Sequence, residues 1–501
     1  MAHVATWSND SRHSARGGPP RPCPDGRRAP QRGAVLIMFA LLTMVVLGFM
    51  GMALDLAQIY NRREELQTLA ESVALAAARS LNGTQAGVSA ALAQAATEAA
   101  SMRYRYNNAA VDWSETAIKF AASATAPDGA WLDAASAQAA PDGLLFVKVD
   151  TSAFASTMGT VNAVFLQFLT GSMTATTYGR AIAGRSTIRV APLAICALSA
   201  APAAARNNGG GNVELVEFGF RRGVAYDLMQ LNPNGVTPVN FVVDPIDALG
   251  TLGSAANVAP SVVGPFVCTG AMPMTRVTGA QLTVQSPFPL ASLFQQLNSR
   301  FDQYPGGLCS PNSAPPDANI KSYQFAAIPW MSTARIGQSA ASATTAGTKL
   351  WTVADPVPAT GTATNYGPLW AYAKAVPFAA YTAGVPEPTA GYTTFASATW
   401  ATLYPGNPVA ISYPTQPPFM AANGVNFLAP STANRPGSRG RRVLNLPLLS
   451  CPVATGTPTL ATVLGIGKFF MTVPATATSI SAEFAGVVPE QSLAGQMELS
   501  K

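Results

Sequence analysis

The chain has 501 residues, of which 48% are hydrophobic and only 11% charged, less than half the usual charged share. That length exceeds one ordinary domain, the apolar content excludes disorder throughout, and 42 Gly with 40 Pro follow no fixed period, which excludes collagen-like and repeat architectures. Of the net charge of +6, residues 1–32 hold +4 (six Arg against two Asp), so the rest of the chain has no basic field for nucleic acid.

Residues 1–32 combine Arg, Pro, Gly and Ser with almost no apolar periodicity, which predicts a disordered basic tail. Next comes Ala34–Leu54, 21 residues with no charged side chain and one hydroxyl, Thr43. As a helix it covers roughly 30 Å, the thickness of a bilayer's hydrocarbon core, and it satisfies every backbone polar group internally. A lipid bilayer is therefore the first expected partner, crossed by a transmembrane helix over 33–56. The tail arginines outnumber Arg62 and Arg63 beyond the span, which Glu64 and Glu65 follow at once. By the positive-inside rule the tail is cytoplasmic and the body lies outside the inner membrane. The apolar run is longer than a signal peptide's core of about 7–15 residues and has no cleavage-site turn, so a retained anchor is expected. Met38 stands at the fifth position after Gly33, where a prepilin carries Glu, which argues against pilin-type processing.

The helix is predicted to continue, because Leu56–Leu81 contains neither Pro nor Gly and Asn82-Gly83 is a terminating pair. Leu66, Leu69, Val73, Ala76 and Ser80 recur at steps of three and four, an amphipathic seam that suits packing on its own domain better than on another subunit. A second Ala-rich helix, about Gln85 to Arg105, can pack back on it. The stretch Gln31–Leu81 resembles the amino-terminal segment of Tad (tight adherence) Flp-pilus assembly proteins of the TadE/TadG-like kind. The matching pieces are Arg32-Gly33, Phe39-Ala40, Gly51, Asp55, Tyr60, Leu66-Gln67 and the Ala74–Ala78 run, with a mild departure at Leu69-Ala70-Glu71. A looser likeness extends over Phe146–Cys196. The resemblance implies an envelope component of pilus assembly, membrane-anchored with an exported body, whose partners are other pilus-assembly proteins.

From about Glu115 the pattern turns extended, with candidate strands Ala117–Ala122, Leu144–Val149 and Thr176–Arg185, and a helix-like run at Val161–Leu169 ahead of Gly171. Residues 57–199 thus read as a helical stalk and an α+β unit of pilin-like plan. Ala200–Gly211 reads as a linker. A β-rich exported region follows over 212–501, with strands at Val213–Phe220, Val239–Val243, Tyr323–Ile328, Val409–Tyr413, Arg442–Leu449, Ile466–Val473 and Ile480–Val487. Pro447 assigns its strand to an edge or a bulge. Ser339–Thr402, low in charge and rich in Thr, Ala, Pro and Gly, reads as an insertion or long surface loops, its aromatics as packing residues. The fold class is α+β.

Both histidines, His3 and His13, lie in the tail, which removes Ser-His-Asp and Cys-His catalysis and most zinc sites from the body. Gly465-Ile466-Gly467-Lys468 lies between strand-like apolar residues and reads as structural. Some TadG-like proteins carry a von Willebrand factor A domain with an Asp-x-Ser-x-Ser metal motif; the nearest match, Asp150-Thr151-Ser152-Ala153-Phe154, has Phe in place of the second Ser ligand. No catalytic, cofactor-binding or metal residue, no cofactor and no small-molecule substrate is therefore expected. Cys196, Cys268, Cys309 and Cys451 lie in the body, an even number in an oxidising compartment, and predict two disulfides. Three connectivities are open; Cys268–Cys309 with Cys196–Cys451 is preferred, because the latter two share the contexts Pro-Leu-Ala-Ile-Cys and Pro-Leu-Leu-Ser-Cys. Arg435, Arg439, Arg441 and Arg442 form a candidate basic contact patch for anionic headgroups or an acidic partner, set against a solvated loop. The expected function is a non-enzymatic single-pass membrane protein of a Tad/Flp-type pilus assembly or secretion system. The alternatives are a membrane-anchored periplasmic hydrolase using carboxylates and an anchored adhesin.

Overall fold

The computed structural model describes residues 32–81, 85–141, 143–154, 156–331, 337–340, 349–355, 366–405, 409–493 and 495–500. The chain divides into two compact units, one of Met1–Tyr60 with Val161–Ala175, the other of Asn61–Thr160 with Thr176–Lys501. The expected tail, residues 1–31, lies outside the described residues, as do Asn82 and Gly83.

Helix α1 (Arg32–Ala78) runs unbroken for 47 residues, as the absence of Pro and the lone helix-tolerated Gly48 and Gly51 allow. Its burial changes along its length. Side chains from Val35 to Leu54 are mostly exposed, whereas Leu66, Leu69, Ala70, Val73, Ala74, Ala77 and Ala78 are buried. The seam is therefore wider than the sequence reading. It passes through Ala77, not Ala76, because a 3.6-residue period drifts against strict steps of three and four. Helix α2 (Gln85–Ser101) buries Gly87, Val88, Ala91, Leu92, Ala95 and Ala99, small side chains that permit close approach to α1.

Both helices pack with an antiparallel sheet in one core. Its strands are β1 (Ile118–Ala121), β2 (Phe146–Asp150) and β3 (Arg180–Arg185), with the C-terminal strand Met497–Ser500 paired to β3. Alternate residues Ile118, Phe120, Val147, Val149, Ala181 and Ala183 enter that core, the period of two expected of a half-buried sheet. The C-terminal strand is not legible in the sequence, since it is held by backbone pairing with β3 and by the packing of Met497 alone against the core.

The remainder is built around β4 (Leu193–Cys196), β9 (Phe241–Val243), β10 (Gln281–Gln285), β11 (Val443–Leu449) and β12 (Thr459–Met471). Strand β12 pairs with β10 through Thr459–Thr462 and with β11 through Val463–Phe470, while β10 pairs with β9, β9 with β4, and β4 in parallel with β11. These pairings close a five-stranded ring. One set of alternating side chains (Ala194, Cys196, Phe241, Val243, Leu282, Val284, Val463 and Ile466) forms one core, and the opposite set, with Leu193, Ile195, Val242, Leu446 and Phe469, enters a larger one. Strands β13 (Ser481–Val487) and β8 (Ala225–Asp227) extend from the far half of β12. Pro447 sits where β11 has no ladder partner towards β4, whose pairing starts at Leu448, and the register shifts immediately after it, between Leu448 and Leu449. The Gly465–Lys468 stretch lies within β12. Disulfides join Cys196 to Cys451 and Cys268 to Cys309.

Three sequence readings differ from the structure. Ala200–Gly211 is no linker: β5 (Ala204–Asn207) pairs with β6 (Val213–Glu217), which pairs in turn with β7 (Phe220–Arg221), and Gly209, Gly210 and Gly211, all at positive φ, turn the hairpin, so the composition marks a turn. Tyr323–Ile328 and Val409–Tyr413 are not strands; Phe325–Ala327 is a 3-10 turn and Ala410 makes an isolated bridge to Met331. The described part of Ser339–Thr402 is irregular yet not superficial. Leu369, Trp370, Ala371, Ala375 and Trp400 are 2% exposed or less, and the Trp370 and Trp400 rings lie 4.7 Å apart.

Irregular buried backbone needs hydrogen-bond partners that no ladder supplies, and buried charges provide them. Glu483 on β13 accepts the amides of Ala371, Tyr372 and Ala373 at 2.6, 3.0 and 2.6 Å. Arg221 is paired with Glu214 and donates to the carbonyls of Val353 and Leu403. Burial pushes the Glu483 carboxyl from 4.5 up to about 8, against the smaller downward pull of the three amides. Burial likewise raises Asp227 and Asp317. A folded pKa above the unfolded value means that folding takes up a proton between about 4.5 and 8. That stabilisation is full below the window and lost as pH rises through it. The unfolding free energy of the full chain in detergent should therefore fall with pH across this window, by up to about 1.4 kcal/mol per pH unit for one group, and Glu483→Gln should flatten the slope.

Candidate functional site

The membrane-length half of α1 and the contacts that end it form the candidate site. Within Val35–Ala78 one 18-residue window has a mean hydropathy of 2.5 and is 6% buried. Val35, Leu36, Phe39, Met44 and Phe49 are each exposed by more than half. A helix with apolar side chains on most sides, covered among the described residues chiefly by Phe165 near its end, fits a hydrocarbon solvent. It is one amino-terminal helix long and apolar enough to cross a membrane, with nominated boundaries Ala34 and Leu54 inside the continuous helix.

At its carboxyl end the helix meets Val161–Ala175. The sequence reading placed a helix over Val161–Leu169; instead Thr160–Asn162 pairs with Thr174–Thr176, and only Gln167–Thr170 is helical, closed by Gly171 in the left-handed conformation. Asp55, 4% exposed, accepts the amides of Phe165 and Leu166 through Oδ2 at 2.6 and 2.8 Å. A carboxylate taking two amides at the start of a helical turn is a charge-assisted cap. One turn earlier the Phe165 ring lies over Gly51, where a Cβ would come within 2.3 Å of ring carbons. Phe165 and α1 residues Leu36–Met52 border an open apolar groove of about 860 Å³.

Farther along α1, the Gln67 side chain donates to the carbonyl of Arg180 and accepts its amide, both at 3.1 Å, which seats the first residue of β3. Gly179 approaches the α1 backbone so closely that a Cβ would lie 2.4 Å from Leu66 O and Gln67 N. Glu65 accepts the amides of Arg105 and Tyr106, and Arg62 donates to Met158 O. Four residues that carry the resemblance noted above (Gly51, Asp55, Leu66 and Gln67) thus hold α1 to later parts of the chain. Sequence reading identified these residues but not their partners, since nothing local links Asp55 to an amide 110 residues away.

The nominated arginines separate. Arg435 and Arg439 are exposed. Arg441 spends its guanidinium on the carbonyls of Cys268, Thr269 and Pro315. Arg442 is fully buried and is not available to a surface partner: it donates to the carbonyls of Asn319, Lys321, Met471 and Thr472 and lies 4.5 Å from the Phe301 and Phe470 ring centroids. The sequence cluster mixed core and surface because adjacent residues at a strand start face opposite ways. Asp150 accepts the Ser152 amide and pairs with Arg180 at 2.6 Å, so its oxygens serve a turn and an ion pair.

Asp55→Asn should remove the charge from its two hydrogen bonds, about 1.5–3 kcal/mol for such bonds, and speed amide exchange of Phe165 and Leu166 by roughly ten-fold or more; Gly51→Leu should do the same by displacing the ring. Exchange mass spectrometry on the full chain reads both. Arg442→Leu takes the guanidinium from four carbonyls, one of which, Thr472 O, keeps the Tyr323 amide, and should cost about 4 kcal/mol or more in denaturant unfolding. Arg439→Ala should change stability by about 0.5 kcal/mol or less.

No curated protein and no solved structure matches the chain. Residues 33–80, the continuous helix with its Asp55 and Gln67 contacts, match the Tad family model, described as "Putative Flp pilus-assembly TadE/G-like".

Proposed function

We propose that this chain is a non-enzymatic, single-pass protein of a Tad/Flp-type pilus assembly or secretion system, with α1 in the inner membrane, the tail in the cytoplasm and the body in the periplasm. The observation that carries the reading is the change of solvent along one unbroken helix. Its first half exposes most of its apolar side chains, its last half buries one face from Leu66 to Ala78, and the matched segment covers both. The six tail arginines support the orientation, and two disulfides suit an oxidising compartment. The body contacts other pilus-assembly proteins while the helix keeps it at the membrane.

Deletion of the coding sequence should abolish surface pili, and the full chain should restore them where one lacking residues 1–56 does not; intact pili after deletion would overturn the role. Orientation has its own readout. A membrane-impermeant maleimide should label Cys23 only after cells are permeabilised, whereas labelling of intact spheroplasts would place the tail outside.

A further inference from the structure

A pocket of about 680 Å³ opens between the carboxyl end of helix α3 (Pro260–Thr269), the 313–315 turn and the Ser438–Arg441 turn. Four arginines line it, Arg189, Arg300, Arg439 and Arg441, and among the described residues no carboxylate does. Most buried arginines elsewhere in the body are matched: Arg221 with Glu214, Arg222 with Glu217 and Glu387, Arg185 with Glu490. Arg300 differs. It is 1% exposed, its Nε has no partner, and its Nη1 reaches only Leu297 O at 3.4 Å. The nearby acid, Asp317, is committed, accepting the amides of Asn319 and Arg442.

The two inner guanidiniums converge at Gly270, which ends α3 at φ 72°. The point a Cβ would occupy there lies 2.8 Å from Arg300 Nη2 and 3.7 Å from Arg441 Nη1. Arg441 is fixed by the carbonyls at the end of α3, a favourable place for a cation. Arg300 has no such compensation, and burial together with the charge of Arg441 pulls its pKa well down. A buried, unpaired cation is costly to hold, and an oxyanion between the two guanidiniums removes that cost.

We propose that this pocket binds a small organic molecule bearing a carboxylate or phosphate, held by Arg300 and Arg441 with Arg189 and Arg439 at the rim. Planar guanidiniums match both oxyanions by paired N–H donors. The volume is that of a small-molecule site, larger than an inorganic ion needs, and Phe266 and Met272 give it an apolar wall. The site lies in the unit of Asn61–Thr160 with Thr176–Lys501 and is independent of the role proposed for α1.

The test is calorimetry and thermal unfolding of the full chain in detergent with glucuronate, glucose 6-phosphate, inorganic phosphate and neutral glucose. At least one of the two organic anions should bind with Kd below about 1 mM and raise Tm, glucose should not, and inorganic phosphate should bind more weakly. Which anion binds separates the carboxylate from the phosphate form. Arg300→Met should leave the unliganded Tm unchanged or raised while abolishing the anion-dependent rise, and Arg439→Ala should weaken binding several-fold without changing Tm. The proposal fails if neither organic anion binds, if glucose binds equally, or if binding survives Arg300→Met undiminished. It also fails if Arg300→Met lowers the unliganded Tm and Arg439→Ala leaves affinity unchanged, the pattern of an arginine kept for packing alone.

Discussion

Buried charge in this molecule serves backbone more than it serves other charge. Long described stretches between β10 and β11 have no ladder, yet much of their main chain is buried among aromatic rings. An unpaired amide or carbonyl there costs as much as a lost hydrogen bond. Arg442 answers for four carbonyls at once, Glu483 for three amides, and Arg221 for two carbonyls beyond its pairing with Glu214. Each sits on or next to a strand of the regular framework, so a few charged side chains tie irregular segments to it. This explains how a chain with so few charged residues keeps several of them inside.

Helix α1 works by a different economy. Its first half needs no partner for its backbone, and among the described residues its apolar side chains find little cover beyond Phe165. Its second half is covered by α2 and the β1–β3 sheet. The contacts at Gly51 and Asp55 lie near the end of the exposed apolar run. A carboxylate there is buried without an opposite charge and is instead held by two amides. The residues that make the segment resemble a pilus-assembly anchor are thereby given physical work: one removes a side chain so that a ring can approach, one caps a turn, one seats a strand.

Much of this was legible from spacing. The unbroken helix, its return by an Ala-rich partner, the first three strands and, later, β6, β9, β11, β13 and the far half of β12 follow from hydrophobic period and turn residues, which are local properties, whereas β4, β5, β8 and β10 do not. The errors have common causes. Ala200–Gly211 reads as a linker because composition marks a turn without saying whether strands flank it. Tyr323–Ile328 had a strand's composition but found no neighbour. Of the two readings of Ser339–Thr402, surface loops fail for its described part because irregular chain can still be buried, as Trp370 and Trp400 are, while the reading of its aromatics as packing residues holds. Among the arginines, sequence proximity grouped Arg442 with Arg439 although one is core and the other surface.

The sequence by itself determined the apolar span, its charge asymmetry and the even set of body cysteines, because length, hydropathy and residue identity need no folding to be read. Tertiary structure alone decided that Asp55 holds amides 110 residues on, that the C-terminal strand completes the first sheet, and that Arg300 faces a pocket without a counter-charge. Each depends on segments far apart in the chain arriving at one place, and their meeting is set by the packing of the whole, which no local pattern encodes.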